Sequence, residues 1–316
     1  MILVVTLNPC IDKTIYIHKN IFGKIIKAEK VKSIAGGKGN NVARVLNELG
    51  VKNLSLNYFG GHYGEIIKEL LDNDNIDYEY IEIKDNSRSV ITVLEDNNRQ
   101  TVYIETSPNI SFSEKEEMLK LFNKSIIKHK EELKLIIISG SIPSENCLDL
   151  YENMIKIAKD HNIKTVLDSS GKALSAGIKA GPFMIKPNLS ELKDIFNKNL
   201  NFETYKQKEL LPLFKKLNKK IEIIILTLGE RGALSFIKDK VFKISPPKIK
   251  TINPVGSGDA FVGGFAYGIY NDMQFLDCVR IGIAAGAANA QIWDACFCRK
   301  EQIFNLVNKV MIKELN

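Results

Sequence analysis

The chain is short of cysteine, of dense single-sign charge and of long apolar runs. Its five cysteines, Cys10, Cys147, Cys278, Cys296 and Cys298, are an odd number scattered along 316 residues, which argues against a disulfide framework and for a reducing compartment. Cys296 and Cys298 are the one close pair, and no second Cys/His pair stands at ligand spacing, so no chelated structural metal is expected there. No apolar run approaches membrane-spanning length, and no basic run interleaved with aromatics marks a nucleic-acid surface. Neither a membrane nor a nucleic acid is expected as a partner. The opening Met1-Ile-Leu-Val-Val-Thr-Leu-Asn-Pro9 lacks a basic flank and is cut short by Asn8-Pro9. It reads as a first strand and not as a signal peptide, and a cytoplasmic location is expected. Internal repeats and linkers are missing too.

What is present is an ordinary core-forming composition, 45% hydrophobic, with a net charge of +7 from 44 basic and 37 acidic residues. The lysines are spread along the chain, a distribution compatible with small polyanionic substrates. Ile2 to Leu7 is a continuous apolar run of the kind buried on both faces of a parallel sheet. Further apolar runs end in small or polar residues: Leu135 to Ile138 in Ser139-Gly-Ser141, Thr165 to Leu167 in Asp168, Met184-Ile185 in Lys186-Pro-Asn188, and Ile221 to Leu226 in Thr227. Helical patterns lie between them, so the expectation is an α/β domain spanning 1–316 whose functional groups gather at one sheet edge. Loosely alternating segments at about 12–34 and 87–106 read instead as a small sheet with one wet face.

The most informative stretch is Thr251-Ile-Asn-Pro-Val-Gly-Ser-Gly-Asp-Ala-Phe-Val-Gly-Gly264. A glycine turn feeding a helix leaves outward N–H groups at a positive dipole end, a place that holds an anion. Asp259 at that spot is positioned to accept the proton of an alcohol next to a phosphoryl group. Taken alone, the same four residues also fit a tight turn with Asp259 as a helix cap. Ala35-Gly-Gly-Lys-Gly-Asn-Asn41 is a second glycine-rich entry to a helix; it is neither a Walker loop nor a dinucleotide fingerprint, because the spacings are wrong. Asn188 and Glu191, three apart after Pro187, form a capping box, and the same carboxylate could order water round a Mg²⁺.

Pro254-Val-Gly-Ser-Gly-Asp-Ala260 with Gly263-Gly264, the Gly36 to Asn41 loop, Asp12 after Asn8-Pro9, and Asn188/Glu191 together resemble, in order, the motifs of the ribokinase-like (PfkB) carbohydrate kinases. The resemblance spans nearly the whole chain and points to the phosphofructokinase-like branch, with tagatose-6-phosphate kinases and 1-phosphofructokinases as the groups most alike. It implies a three-layer α/β/α fold with a mostly parallel sheet and a β-sheet lid, ATP as co-substrate with Mg²⁺, a sugar phosphate as acceptor, and a homodimer formed through the lid. It implies Asp259 as base and Gly256, Ser257 and Gly258 as the anion hole. Asp12, Gly37, Lys38, Gly39, Asn41, Arg88, Ser139 and Lys27 become substrate contacts, with Lys27 standing where relatives often carry arginine. Lys186, Asn188, Thr227, Gly229, Gly232 and Asn289 become ATP contacts, and Glu191 with Asn188 the Mg²⁺ site, acting through water. Two stretches depart from the pattern: Glu105-Thr-Ser-Pro108, where a glycine usually stands at Ser107, and Trp293 to Cys298, which lacks a Thr-Gly. A kinase of the same fold for fructose 1-phosphate, fructose 6-phosphate or an unphosphorylated sugar or nucleoside, the last disfavoured by Arg88 and Lys38, and a sugar-phosphate-binding regulator without catalysis are the readings left beside a kinase that phosphorylates the C1 hydroxyl of a ketohexose 6-phosphate such as tagatose 6-phosphate.

Overall fold

A computed structural model describes residues 1–96, 99–196, 207–237 and 239–315. The N-terminal half runs β1 (Ile2–Thr6), β2 (Cys10–Ile17), β3 (Lys30–Gly36), α1 (Lys38–Glu48), β4 (Asn53–Phe59), α2 (Gly61–Asn73), β5 (Tyr78–Glu82), β6 (Arg88–Glu95), β7 (Gln100–Ile104) and α3 (Phe112–Lys128). There follow β8 (Leu135–Ser139), α4 (Leu150–Asp160), β9 (Thr165–Asp168), α5 (Gly171–Lys179), β10 (Met184–Ile185), α6 (Leu189–Phe196), α7 (Gln207–Asn218) and β11 (Ile223–Thr227). The chain closes with β12 (Ala233–Ile237), β13 (Lys240–Ser245), α8 (Ser257–Tyr270), α9 (Phe275–Ala290), α10 (Lys300–Val307) and β14 (Met311–Leu315).

The main sheet has ten strands in the order β14-β13-β12-β11-β10-β9-β8-β1-β4-β5. From β5 to β11 every pairing is parallel. Strand alternation explains why these runs are apolar at every position. Leu3, Val5, Ile136, Ile138, Ile224 and Leu226 enter one core with α3 to α7, while Ile2, Val4, Leu135, Ile137, Ile223 and Ile225 enter another with α1, α8, α9 and α10. Two faces buried means two helical layers, the expected three-layer arrangement. Each of these aliphatic side chains contributes roughly 1.5–3 kcal/mol on burial.

Three antiparallel strands extend this sheet beyond β11, where the sequence reading had placed no strands. The reason is a short connection: Gly229–Arg231 makes one 3-10 turn, and Gly232, at φ 88°, reverses the chain against Ile244. A link that short joins only antiparallel neighbours. The second sheet has four strands, β3-β2-β6-β7. Within it β2 and β6 run parallel, Cys10 opposite Arg88 and Asp12 opposite Val90, although some seventy residues separate them. Within the expected small sheet β6 and β7 form an antiparallel hairpin, with Glu95 N–H bonded to Arg99 O at 3.0 Å; Asn97 and Asn98 lie outside the described residues. Among the described residues no helix is long and apolar enough to cross a membrane.

Candidate active site

The parallel strands end on one edge, and α8 begins there. Gly256 precedes the helix at φ 79°, a left-handed value that favours glycine. A Cβ added there would also meet Cys296 Sγ at 3.0 Å and Ala295 Cβ at 3.1 Å, so the turn needs glycine on both counts. The Ser257 N–H closes a turn to Pro254 O at 3.1 Å, whereas the N–H groups of Gly256, Gly258 and Asp259 have no protein acceptor among the described residues. The amides left open at this turn are those of Gly256, Gly258 and Asp259, whereas the Ser257 amide of the expected trio is engaged. Gly263 and Gly264 let α8 lie close to its neighbours: a Cβ on the first would meet Val45 at 2.7 Å and on the second Ala285 at 2.8 Å.

Asp259 is buried, and its Oδ2 accepts from Asn41 Nδ2 at 2.8 Å. Burial pushes its carboxyl up to about 6, assisted by Asp168 and opposed by Lys38, Asn41 and Lys186. The group is ionised at neutral pH yet close enough to its midpoint to exchange a proton readily. Asn41 is fixed in turn by Arg44, whose Nη1 donates to Asn41 Oδ1 at 2.9 Å.

Lys38, at the start of α1, points to carboxylates: Asp168 at 3.5 Å and Glu191 at 3.8 Å. Lys186 meets the same Asp168 oxygen at 3.2 Å. Asp168 is fully buried and its Oδ2 has no partner. The Lys38 ammonium is held protonated above its ordinary range, Asp168 being the main cause. Lys186 Nζ also lies 3.2 Å from the position of a Cβ on Gly258, so it flanks the anion turn. The capping box is formed: Glu191 N–H donates to Asn188 Oδ1 at 2.9 Å, and Asn188 N–H to Glu191 Oε2 at 2.8 Å.

A second cationic corner lies where β6 begins. Arg88 Nη1 donates to Ser107 Oγ at 3.3 Å, and Arg88 Nε is buried without a partner. Asn8 Nδ2 donates to Ser107 Oγ at 2.9 Å and to Ser141 Oγ at 3.1 Å. The small sheet packs against the loop after α9. Lys32 pairs with Asp294 at 2.5 Å, and Tyr16 meets Trp293 edge-on with centroids 5.3 Å apart. Between them Asp12, Thr14, Asn253 and Val255 line a small cavity.

Several residues named from sequence sit elsewhere than expected. Ser139 is fully buried with its hydroxyl directed to Asp168 O at 3.5 Å, while exposed Ser141 faces Asn8; the second serine of Ser-Gly-Ser, not the first, reaches the site. Asn289 is buried with both ends engaged, donating to Val255 O at 2.8 Å and accepting from Cys296 N at 2.6 Å, so it holds the turn before α8. Gly39 packs against Thr6, where an added Cβ would fall 2.1 Å from Oγ1, so this position has no room for a side chain. Gly232 is likewise buried at the β11–β12 reversal, whereas Gly229 is exposed and Thr227 half-buried on the edge. Gly37 and Asp12 are half-buried near that edge, and Lys27 is exposed on the β2–β3 connection. Sequence reasoning missed Arg44, Asn8 and Asp168. An aspartate ending a strand at the functional edge was the signal available for the last; a lone arginine in a helix gave none for the first.

The fold and this edge define a ribokinase-like kinase, with an acidic residue at a helix start whose amides are open. Residues 5–301 match the family model of the pfkB family carbohydrate kinases, and the chain belongs to that family, whose members are phosphotransferases with an alcohol acceptor and use ATP. It is 33% identical to a tagatose-6-phosphate kinase of Staphylococcus epidermidis over 294 residues, 92% of each chain. Phosphofructokinase-2 of Escherichia coli shares the fold with TM-score 0.88 and 24% identity, over 97% of this chain and 98% of that one. A Thermotoga maritima protein described as a possible 1-phosphofructokinase does so with TM-score 0.87 and 21% identity over all of both chains.

Proposed function

We propose that this kinase transfers the γ-phosphoryl group of ATP to the C1 hydroxyl of a ketohexose 6-phosphate, tagatose 6-phosphate foremost. The observation that carries the reading is a buried carboxylate, Asp259, one residue from open amides at the same helix start, in a chain a third identical to a tagatose-6-phosphate kinase. Asp259 takes the proton of the attacking hydroxyl. The amides of Gly256, Gly258 and Asp259 stabilise charge on the phosphoryl group in flight, and Lys186 beside them draws the leaving phosphates. Arg88, Ser141 and Asn8 hold the phosphate already on the sugar, Arg88 through the fork geometry that suits such oxygens. Asp12 and Asn41 orient hydroxyls.

The residues present fit a Mg²⁺ held through water. Asn188 and Glu191 are oriented by their own capping box, Glu191 keeps Oε1 free of it, and Asp168 Oδ2 is an unsatisfied buried oxygen nearby in the Lys38 network. Bound there, the ion would shield the negative charge of the nucleotide phosphates. The small sheet, about 12–34 and 87–106, acts as a lid within a single domain, 1–316, and must lift to admit the sugar. Its two edge strands expose Val31, Val102, Tyr103 and Ile104, apolar edges suited to pairing with the lid of a second copy. A cytoplasmic location follows from the substrates proposed.

The deciding experiment is ADP release with Mg-ATP against tagatose 6-phosphate, fructose 1-phosphate, fructose 6-phosphate, fructose and ribose. Preference for tagatose 6-phosphate supports the proposal, preference for fructose 1-phosphate replaces its substrate, and sugar-phosphate binding without turnover makes the protein a regulator.

A further inference from the structure

We infer that Arg44 is a positioning residue for the proton-accepting carboxylate, acting through Asn41. This rests on the reading of Asp259 as base. A guanidinium has donors and no acceptor, whereas a carboxamide has one oxygen and one NH₂ group that can exchange places by a half-turn. Arg44 Nη1 donates to Asn41 Oδ1 at 2.9 Å, and this contact forces the NH₂ end toward Asp259 Oδ2, where it donates at 2.8 Å. Turned the other way, Asn41 would place its oxygen against the carboxylate and leave an Arg44 donor unmet. The arginine fixes which way the amide faces, and the amide fixes the carboxylate.

Arg44 is itself held on every side. Its Nε donates to Asp74 Oδ2 at 2.9 Å and its Nη2 to Ala35 O at 2.8 Å, and the Phe297 ring covers its plane at 4.7 Å. The side chain is buried, so these contacts are not exchanged for water. Asp74 caps α2, Ala35 lies in β3 and Phe297 belongs to the loop after α9. Three elements that contribute no atom to the chemistry thus converge on the rotamer of one amide. A lysine in this place could meet only one or two of these acceptors in their planar arrangement. The other charged or titratable groups facing Asp259 are Lys38 from α1, Asp168 from β9, Lys186 after β10 and the Cys296 thiol, and none of them bonds to Asn41.

The test uses the full chain with Arg44→Met, Arg44→Lys, and Leu71→Ala as a control that destabilises the neighbouring core without touching the relay. Two readouts are taken: the pH profile of kcat/KM, and the side-chain ¹⁵N–¹H signals of Asn41 under selective asparagine labelling, assigned by Asn41→Ser. In the wild type the Asn41 signals follow the titration of Asp259, whether or not the right sugar is in the assay. The expected result for Arg44→Met is a fall in kcat of about tenfold or more, KM for ATP within about twofold, and an acid limb moved upward because a carboxylate without its donor binds a proton more readily. The Asn41 signals lose their single titrating position. Arg44→Lys gives a smaller shift in the same direction and keeps the test alive if the methionine variant does not fold. If both variants keep the wild-type acid limb and Asn41 titration, losing activity only in step with folded protein as Leu71→Ala does, Arg44 is a structural residue and the inference falls. Turnover retained by Asp259→Asn overturns the base reading as well; Asp259→Asn inactive with Arg44→Met unshifted overturns the relay alone.

Discussion

The site has two cationic corners, and they are built on opposite principles. At one, Lys38 and Lys186 share the buried carboxylate of Asp168, and Lys38 also reaches Glu191. At the other, Arg88 has no carboxylate partner among the described residues and meets only the neutral Ser107, with its Nε unsatisfied. A cation neutralised within the chain can be folded and kept without its ligand, and it changes partner when a more highly charged one arrives. A cation left unpaired costs stability until an anion fills its place. The first arrangement suits a nucleotide that comes and goes with its metal; the second suits a fixed phosphate on the substrate. Between them Asp259 draws its raised pKa chiefly from burial, with Asp168 of the first corner adding to it and Lys38 and Lys186 opposing it.

The sharpest way to break this division is to remove the group both corners serve. Asp259→Asn is expected to lower kcat by about 10²–10⁴-fold while leaving ATP affinity nearly unchanged, measured by ADP release and calorimetry. The same change should stabilise the protein at pH 7. Because the folded pKa near 6 lies above the ordinary 3.8, the native state binds the extra proton between those values, and wild-type stability falls as pH rises through that window. The asparagine variant lacks that loss, and thermal melts at pH 4 and pH 7 should show the two proteins converging at the acid end. Activity of the wild type should fall as pH drops through about 6.

Next in size is the unpaired corner. Arg88→Lys keeps the charge and loses the fork, and should raise KM for the sugar phosphate by about 10–100-fold, a loss of roughly 1.5–3 kcal/mol, with KM for ATP held. An equal rise in both constants would show that the corners are not separate. In the paired corner, Glu191→Gln keeps an acceptor for the capping box and removes the charge; the Mg²⁺ concentration for half-maximal rate should rise by about tenfold with little change in melting temperature. The smallest effect is expected at the lid. Trp293→Ala removes the edge-on contact with Tyr16, worth about 0.5–1.5 kcal/mol, and should raise KM for the sugar by a few-fold at most; fluorescence of this single tryptophan reports lid closure in the parent.

Much of the fold was legible because its cause is local and periodic. Runs such as Leu135 to Ile138, apolar at every position, announce strands covered on two faces, and the glycine-rich starts of α1 and α8 announce turns that need room. The antiparallel extension β12–β14 was not legible, since its strands alternate only weakly and their partners are set by the Gly232 reversal. At the site, Asp259, Lys186 and the Asn188/Glu191 box could be named because each carries its signature within a few residues. Arg44 and Asn8 could not: the first has the look of a solvated helix residue, the second of a strand terminator, and each acquires its role from partners thirty to more than a hundred residues away.

Apolar runs and motif spacing by themselves determined an α/β domain with an acidic residue at a glycine-rich helix start, because those features depend on chain-local geometry and on the dipole of one helix; the kinase reading came from the resemblance of its motifs to a known family. Which serine of Ser139-Gly-Ser141 faces the site, which amides of the turn stay open, and which end of Asn41 meets Asp259 were decided only in three dimensions. Each of those choices is a competition between hydrogen-bond partners, and the winner is whichever acceptor the packing of distant elements brings within 3 Å or so.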